Sequence, residues 1–201
     1  MARTGVRDET AEPVTERLIA AATRLFAEHG YESTSVQDVV SAAGVTKGAM
    51  YHYFDSKDAL LYEIYHRLLA MQAAQLDRIA AGPGSAGQRL RLAAVDVVET
   101  TAANLDEAIV FFRSQHLLAA DKQKLVRGER RRYHERFRDL VVEGQRTGEF
   151  RAHADPDLVV SYFFGSVHHL GTWFHPSGPL TATAVGESYA DLLLSGLAPR
   201  D

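Results

Sequence analysis

From Val14 to Gly82 the chain contains no proline, and apolar residues recur at three- and four-residue spacing throughout. That combination admits helices and little else. Val14, Leu18, Ala21, Ala22, Leu25, Phe26 and His29 share one face of a first helix, which Gly30 is placed to end. Val36, Val39, Val40 and Ala43 mark the inner side of a short second helix, about Ser35 to Ala43, stopped by Gly44. Thr46 caps a third helix reaching about His52. Asp55 and Ser56 offer caps for a long fourth, striped by Leu60, Leu61, Ile64, Tyr65, Leu68, Leu69 and Leu76. After the small-residue loop AAGPGSAG (80–87), the pattern predicts helices at about 88–103, 105–120, 122–147 and 156–174. A last helix opens at Thr181. Nothing alternates with strand period and nothing repeats. The expected fold is all-α, with about nine helices: a three-helix head, then a larger helical body.

Composition removes several function classes. The 201 residues include no cysteine, which excludes disulfides, thiol catalysis and cysteine-ligated zinc. No run approaches the ~20 apolar residues of a membrane helix, and Met1–Pro13 lacks the apolar centre of a signal peptide. A cytoplasmic protein without membrane contact is expected. The nine histidines suggest a metal, but His168 and His169 are adjacent, and neighbours on a helix do not face one ion. No metal, no cofactor and no enzyme activity are expected. The remote alternative is a helical enzyme using His116 or His168 as general base, for which no nucleophile or phosphate loop is placed.

The most informative stretch is YESTSVQDVVSAAGVTKGAMYHYFDSKDALL, Tyr31 to Leu61. Two short helices joined at Gly44-Val45 make a helix–turn–helix, whose second helix enters the major groove. Gly44 supplies the backbone freedom that the tight turn needs. Thr46 caps the helix end that favours an anion, Lys47 adds a cation there, and Gly48 leaves room for close backbone approach. Met50 and Phe54 point inward while Tyr51 and His52 point outward. The net charge of −4 argues against a nucleic-acid binder, yet residues 39–54 hold Lys47 and no acid.

The segments LFAEHGY, TSVQDVVSAAGVTKGAMYHYF and DSKDALL closely resemble the DNA-binding domain of TetR-family transcriptional regulators over about residues 14–62. The resemblance implies a reading head at 1–56 and an effector-binding and dimerisation domain at 57–201. It places Ser35, Thr46, Lys47, Gly48, Tyr51, His52 and Lys57 at positions that contact double-stranded operator DNA. Lys57 would meet phosphate, and Lys47 and Tyr51 reach either backbone or base edges. A structural reading stands beside each: Thr46 as a cap, Tyr51 and Tyr53 as packing, Lys57 as a solvated cation. Arg3 and Arg7 lie on an arm that could add phosphate or minor-groove contacts.

Thirteen of the eighteen aromatics lie beyond residue 60. Core packing is the plain reading, but polar groups interrupt the apolar rows, as a small-molecule site requires. The candidate effector residues are Phe111, Phe112, Gln115, His116, Tyr133, Phe137, Phe164, His168, His169 and Trp173. The run from Arg127 to Arg138 is interleaved with Glu129, Glu135 and Asp139 and reads as an ion-paired face, the alternative being that some of these arginines meet a phosphate or carboxylate of the effector. The helix from about 158 to 174 is apolar nearly all round and needs partners on both sides. With the last helix it forms the expected dimer interface, through Tyr162, Val185, Tyr189, Leu192 and Leu193, of which Tyr189, Leu192 and Leu193 read equally as core. The segment SVHHLGTWFHPSGPLTATAVGESYADLLLSGL (166–197) is similar to the C-terminal domain of TetR members governing steroid and fatty-acid catabolism in actinobacteria. The resemblance implies a homodimeric repressor on a palindromic operator, released by a small, largely apolar effector: an acyl-CoA, fatty acid or steroid-like metabolite. An activator, or a DNA-independent binding protein of the same fold, is the alternative.

Overall fold

The computed structural model describes residues 12–199, and every described element is helical. The order is α1 (Val14–His29), α2 (Val36–Ala42), α3 (Lys47–Tyr53), α4 (Lys57–Ala80), α5 (Ala86–Ala103), α6 (Leu105–Ser114), a 3₁₀ turn (Gln115–Leu117), α7 (Ala120–Arg146), α8 (Pro156–His168), the single turn α9 (Leu170–Trp173) and α10 (Ala182–Leu197). Arg3 and Arg7 fall outside the described residues.

The boundaries follow from local chemistry. Ser35, Thr46, Ser56, Ser85 and Thr181 each accept a backbone N–H of the first turn they precede. Of the two residues that could cap α4, Ser56 does so. Asp155 caps α8, with Pro156 at its first position, where a missing N–H costs nothing.

Two boundaries depart from the sequence pattern. The helix expected to run unbroken to about 120 tightens to 3₁₀ at Gln115. The helix expected to reach about residue 174 breaks at His169, whose N–H bonds to Ser166 and Val167 carbonyls instead of continuing the ladder. Beyond the break α9 packs closely on α6, where a Cβ at Gly171 would lie 2.6 Å from Ile109 Cγ1.

A central layer positions everything else. α4 packs on α1 at one end and on α5, α6 and α7 along the rest of its length. α10 lies along α5, and Gly186 permits it, since a Cβ there would meet the Val95 backbone at 3.2 Å. The core runs without interruption from Leu18 and Met50 in the head, through Leu61 and Ile64, to Phe111, Phe137 and Phe163 in the body.

Candidate nucleic-acid interface and effector cavity

Buried Leu18, Phe26, Val39, Val40 and Met50 hold the reading head together. Arg17 of α1 locks the turn, donating from Nε to the Ala43 carbonyl at 2.9 Å and from Nη2 to the Gly44 carbonyl at 2.7 Å. Gly44 has φ +62°, and a Cβ there would also lie 2.9 Å from Arg17 Nη2. The positive φ favours glycine, and a side chain there would also displace the Arg17 guanidinium that locks the turn.

Around that frame the expected contact residues divide. Ser35 forms a capping box with Asp38: its Oγ accepts the Asp38 N–H, and its own N–H donates to Asp38 Oδ2 at 2.8 Å. Thr46 Oγ1 accepts the Ala49 N–H at 3.1 Å. Lys47, Gly48, Tyr51 and His52 are exposed, with Tyr51 52% accessible. The His52 ring meets the exposed Tyr53 edge-on, centroids 4.8 Å apart. Nothing in the fold requires glycine at 48, where a Cβ would lie 3.8 Å from its nearest neighbour, Thr46 Oγ1. Lys57 is turned inward. Its Nζ donates to the carbonyls of Tyr31 and Thr34 at 2.7 and 2.8 Å, and burial lowers its pKa. One of its three protons remains for phosphate.

In the body, α4, α5, α6, α7 and α8 surround a small, partly enclosed cavity of about 30 Å³. Of the expected effector residues, Phe111, Phe112, Tyr133, Phe164 and His168 line it. Phe137 stands behind, stacked on Phe163 at 4.9 Å and edge-on to Phe164 at 5.2 Å. Gln115 lies at the rim, accepting from Arg130 at 3.1 Å. The structure does not bring His116, His169 or Trp173 to this wall; all three are exposed. Their apolar neighbours in sequence turn inward, and helical geometry turns them out.

The cavity also has walls that sequence reasoning missed, Tyr65, Gln72, Thr101 and His134, and of the arginine run it takes Arg130. Gln72 was legible as a polar break in the α4 stripe. It is buried and donates to Thr100 and Thr101 hydroxyls at 3.0 and 3.1 Å. His134 stacks on Phe164 at 4.1 Å and lies 6.3 Å from the His168 ring. Burial first, then the nearby Arg130 charge, pushes His134 down to about 4 and His168 down to about 3. Both are neutral near pH 7 and serve as flat, weakly polar walls.

The expected interface residues need correction. Val185 and Leu193 face inward and belong to the core of their own protomer. Leu192 is 63% exposed, Tyr162 65% and Leu158, on the same α8, 69%. Tyr189 is half-buried on α10, which touches α8, and its pKa is raised by burial and by the neighbouring Tyr162. Gly165 and Gly196 have open space where a side chain would stand. The arginines of α7 are paired as expected in part: Arg131 with Glu135, Arg136 with Asp77 and Arg138 with Asp157.

A three-helix head presenting the exposed face of α3, fused through α4 to a helical body, defines a helix–turn–helix DNA-binding regulator. Residues 18–64 match the family described as bacterial regulatory proteins, tetR family, and residues 83–197 match the tetracyclin repressor-like C-terminal domain. The chain belongs to the TetR family of transcriptional regulators, which are not enzymes. It is 29% identical over 196 residues to the HTH-type transcriptional repressor KstR2 of Mycobacterium tuberculosis (strain ATCC 25618 / H37Rv), covering 94% of this chain and 97% of the relative. The HTH-type transcriptional repressor DhaR of Mycobacterium sp. (strain GP1) is 30% identical, covering 77% of this chain and 78% of that one. Among solved structures, the TetR family transcriptional regulator PfmR from Thermus thermophilus superposes with TM-score 0.84 at 30% identity, covering 91% of this chain and all of that one. The ketosteroid transcriptional regulator KstR2 of Mycobacterium tuberculosis superposes with TM-score 0.85 at 25% identity, covering 94% and 97%. Among the described residues no helix is long and apolar enough to cross a membrane.

Proposed function

We propose that the protein is a cytoplasmic, homodimeric repressor that reads a palindromic operator with α3 and is released by a small, largely apolar effector bound between α4, α6, α7 and α8. The single observation that carries this reading is continuity. α4 begins at Lys57, which is bonded to Tyr31 and Thr34 of the reading head, and supplies Tyr65, Leu68, Leu69 and Gln72 to the cavity wall. Any change in the wall that moves α4 moves the head.

Ser35, Thr46, Lys47, Gly48, Tyr51, His52 and the free donor of Lys57 are the proposed DNA contacts. Phe111, Phe112, Tyr133, Phe164 and His168 are the proposed effector contacts, with Phe137 as backing and Gln115 at the rim. Leu158, Tyr162, Tyr189 and Leu192 form the proposed dimer face. It joins two copies through a C₂ axis, matching the two half-sites of a palindrome. The repressor sense is that of KstR2 and DhaR, and an acyl-CoA, fatty-acid or steroid-like effector fits the apolar wall.

At about 30 Å³ the cavity is far below the roughly 300 Å³ of a small-molecule site. Effector entry therefore requires side-chain or helix movement, and the ligand must favour the moved conformation to release DNA. The test is fluorescence anisotropy on DNA upstream of the protein's own gene, with scrambled DNA as control, at two salt concentrations. Preference for the native fragment, abolished by one class of apolar ligand, is expected. Equal affinity for both DNAs overturns the operator assignment. Because few cations face DNA, the affinity should fall only shallowly with salt.

A further inference from the structure

The first turn of α2 carries a fixed negative charge beside a residue proposed to touch DNA. Val39 and Val40 of this helix are buried, while Gln37 and Asp38 stand exposed. Asp38 and Ser35 are bonded to each other through several atoms. Asp38 Oδ2 accepts the Ser35 N–H at 2.8 Å and the Ser35 hydroxyl at 2.7 Å, and Ser35 Oγ accepts the Asp38 N–H at 3.2 Å.

A serine hydroxyl has one proton to donate. Here that proton and the Ser35 N–H both go to Asp38, so neither is left for a phosphate oxygen. The pair presents acceptor oxygens to whatever approaches it. The hydroxyl bond first, and then the N–H bond, hold the Asp38 carboxyl below the usual carboxylate range. Asp38 is therefore ionised at neutral pH.

From residue 36 to residue 53, across α2, the turn and α3, Asp38 and Lys47 are the formal charges, one of each sign. Two other cations of the head point at backbone: Arg17 at the Ala43 and Gly44 carbonyls, Lys57 at those of Tyr31 and Thr34. Asp38 thus offsets the charge that α3 holds out in Lys47. In about 0.1 M salt a surface charge acts over about 10 Å. A phosphate beside Ser35 lies within that reach, since the Asp38 carboxylate is 2.7 Å from the Ser35 hydroxyl.

Resting on the reading that α2 and α3 face DNA, we propose that Asp38 is a brake on DNA affinity. Its carboxylate repels the phosphates next to Ser35 and weakens binding to operator and to other DNA alike. The limit serves release: effectors typically change affinity by about 5–150-fold, and an operator complex of moderate affinity is one that such a coupling can undo. A carboxylate can also accept from the amino group of cytosine in the major groove. The first helix of a helix–turn–helix crosses the backbone instead, which favours repulsion of phosphate.

Glutamate and glutamine both complete a capping box at this position, so Asp38→Glu and Asp38→Gln share the cap and differ in charge. The full-length variants are compared by fluorescence anisotropy on the fragment upstream of the protein's own gene and on scrambled DNA, at two salt concentrations, with helical content checked by circular dichroism. Asp38→Gln should bind both DNAs at least about threefold tighter at the lower salt, with a smaller gain at the higher. Asp38→Glu should match the unchanged protein. Asp38→Asn repeats the neutralisation at native length, and Lys47→Met, the control, should weaken binding to both DNAs. If Lys47→Met weakens binding while Asp38→Gln and Asp38→Asn change neither affinity, the brake is overturned and the reading head stands. Weaker binding of Asp38→Gln to the native fragment alone makes Asp38 a base contact and also overturns the brake. If no variant changes binding to either DNA, the assignment of the reading head fails and the brake fails with it.

Discussion

The ammonium of Lys57 sits 4.2 Å above the centre of the Tyr31 ring while donating to the Tyr31 carbonyl at 2.7 Å. With its second bond, to Thr34, this clasp ties the first residue of α4 to the loop between α1 and α2. The end of the reading head is thereby fixed to the helix that reaches the effector cavity.

Lys57→Met removes two charge-assisted bonds and the cation–π contact while keeping the apolar stem. Hydrogen bonds to charged groups contribute about 1.5–3 kcal/mol each before allowance for partial exposure. A loss of about 1–2 kcal/mol in urea unfolding is expected, with weaker operator binding in proportion at both salt concentrations. A stability unchanged within error would show the clasp to be unimportant in solution.

Gly48→Ala separates folding from binding. The fold has room for the added methyl, and alanine in a helix is favoured over glycine by about 1 kcal/mol. The variant should melt higher and bind operator at least tenfold more weakly, because the proposed DNA path brings the backbone against residue 48. Full operator affinity in the variant would move the DNA path away from Gly48.

Tyr51→Ala removes an exposed ring that packs little of the core. It should cost at least tenfold in operator affinity with circular dichroism unchanged. Undiminished binding would return Tyr51 to the category of surface residue.

Leu192→Arg and Leu193→Arg are neighbours with opposite expected outcomes. Leu192→Arg should give a folded monomer in sedimentation velocity. Leu193→Arg places a charge in the core beside α5 and should cost more than about 4 kcal/mol, unfolding the chain. A folded dimer of Leu192→Arg would remove α10 from the interface.

His134 and His168 make stability depend on pH. Their native values, about 4 and about 3, lie below the ordinary histidine value near 6.5. Below pH 6.5 the unfolded chain takes up protons that the native state refuses, so stability present above that pH is lost as pH falls through the native values. About 1–2 kcal/mol per histidine should disappear between pH 7 and pH 5. The double variant His134→Asn, His168→Asn should flatten the urea midpoint over that range, and an equally steep profile would show that other groups carry the acid sensitivity.

The helices, their caps and the reading head were legible because they depend on residues three or four apart. Ser35 with Asp38, Thr46 with Ala49, and the turn glycine at 44 are all local, and the family resemblance rests on the same short-range pattern. Even the inward and outward assignments of Met50 and Tyr51 follow from one period of 3.6 residues. What tertiary structure alone decided concerns partners far apart in sequence. Arg17 reaches across 26 residues to the Ala43 carbonyl, and Lys57 spans 26 to the Tyr31 carbonyl. Sequence offered His116, His169 and Trp173 for the cavity, but the packing of α4 and α7 brought Gln72 and His134 there instead. Between Leu192 and Leu193 the pattern could not choose, since both are leucine on an apolar helix. The choice was made by where α5 lies against α10, because burial belongs to the pair of surfaces and not to either sequence.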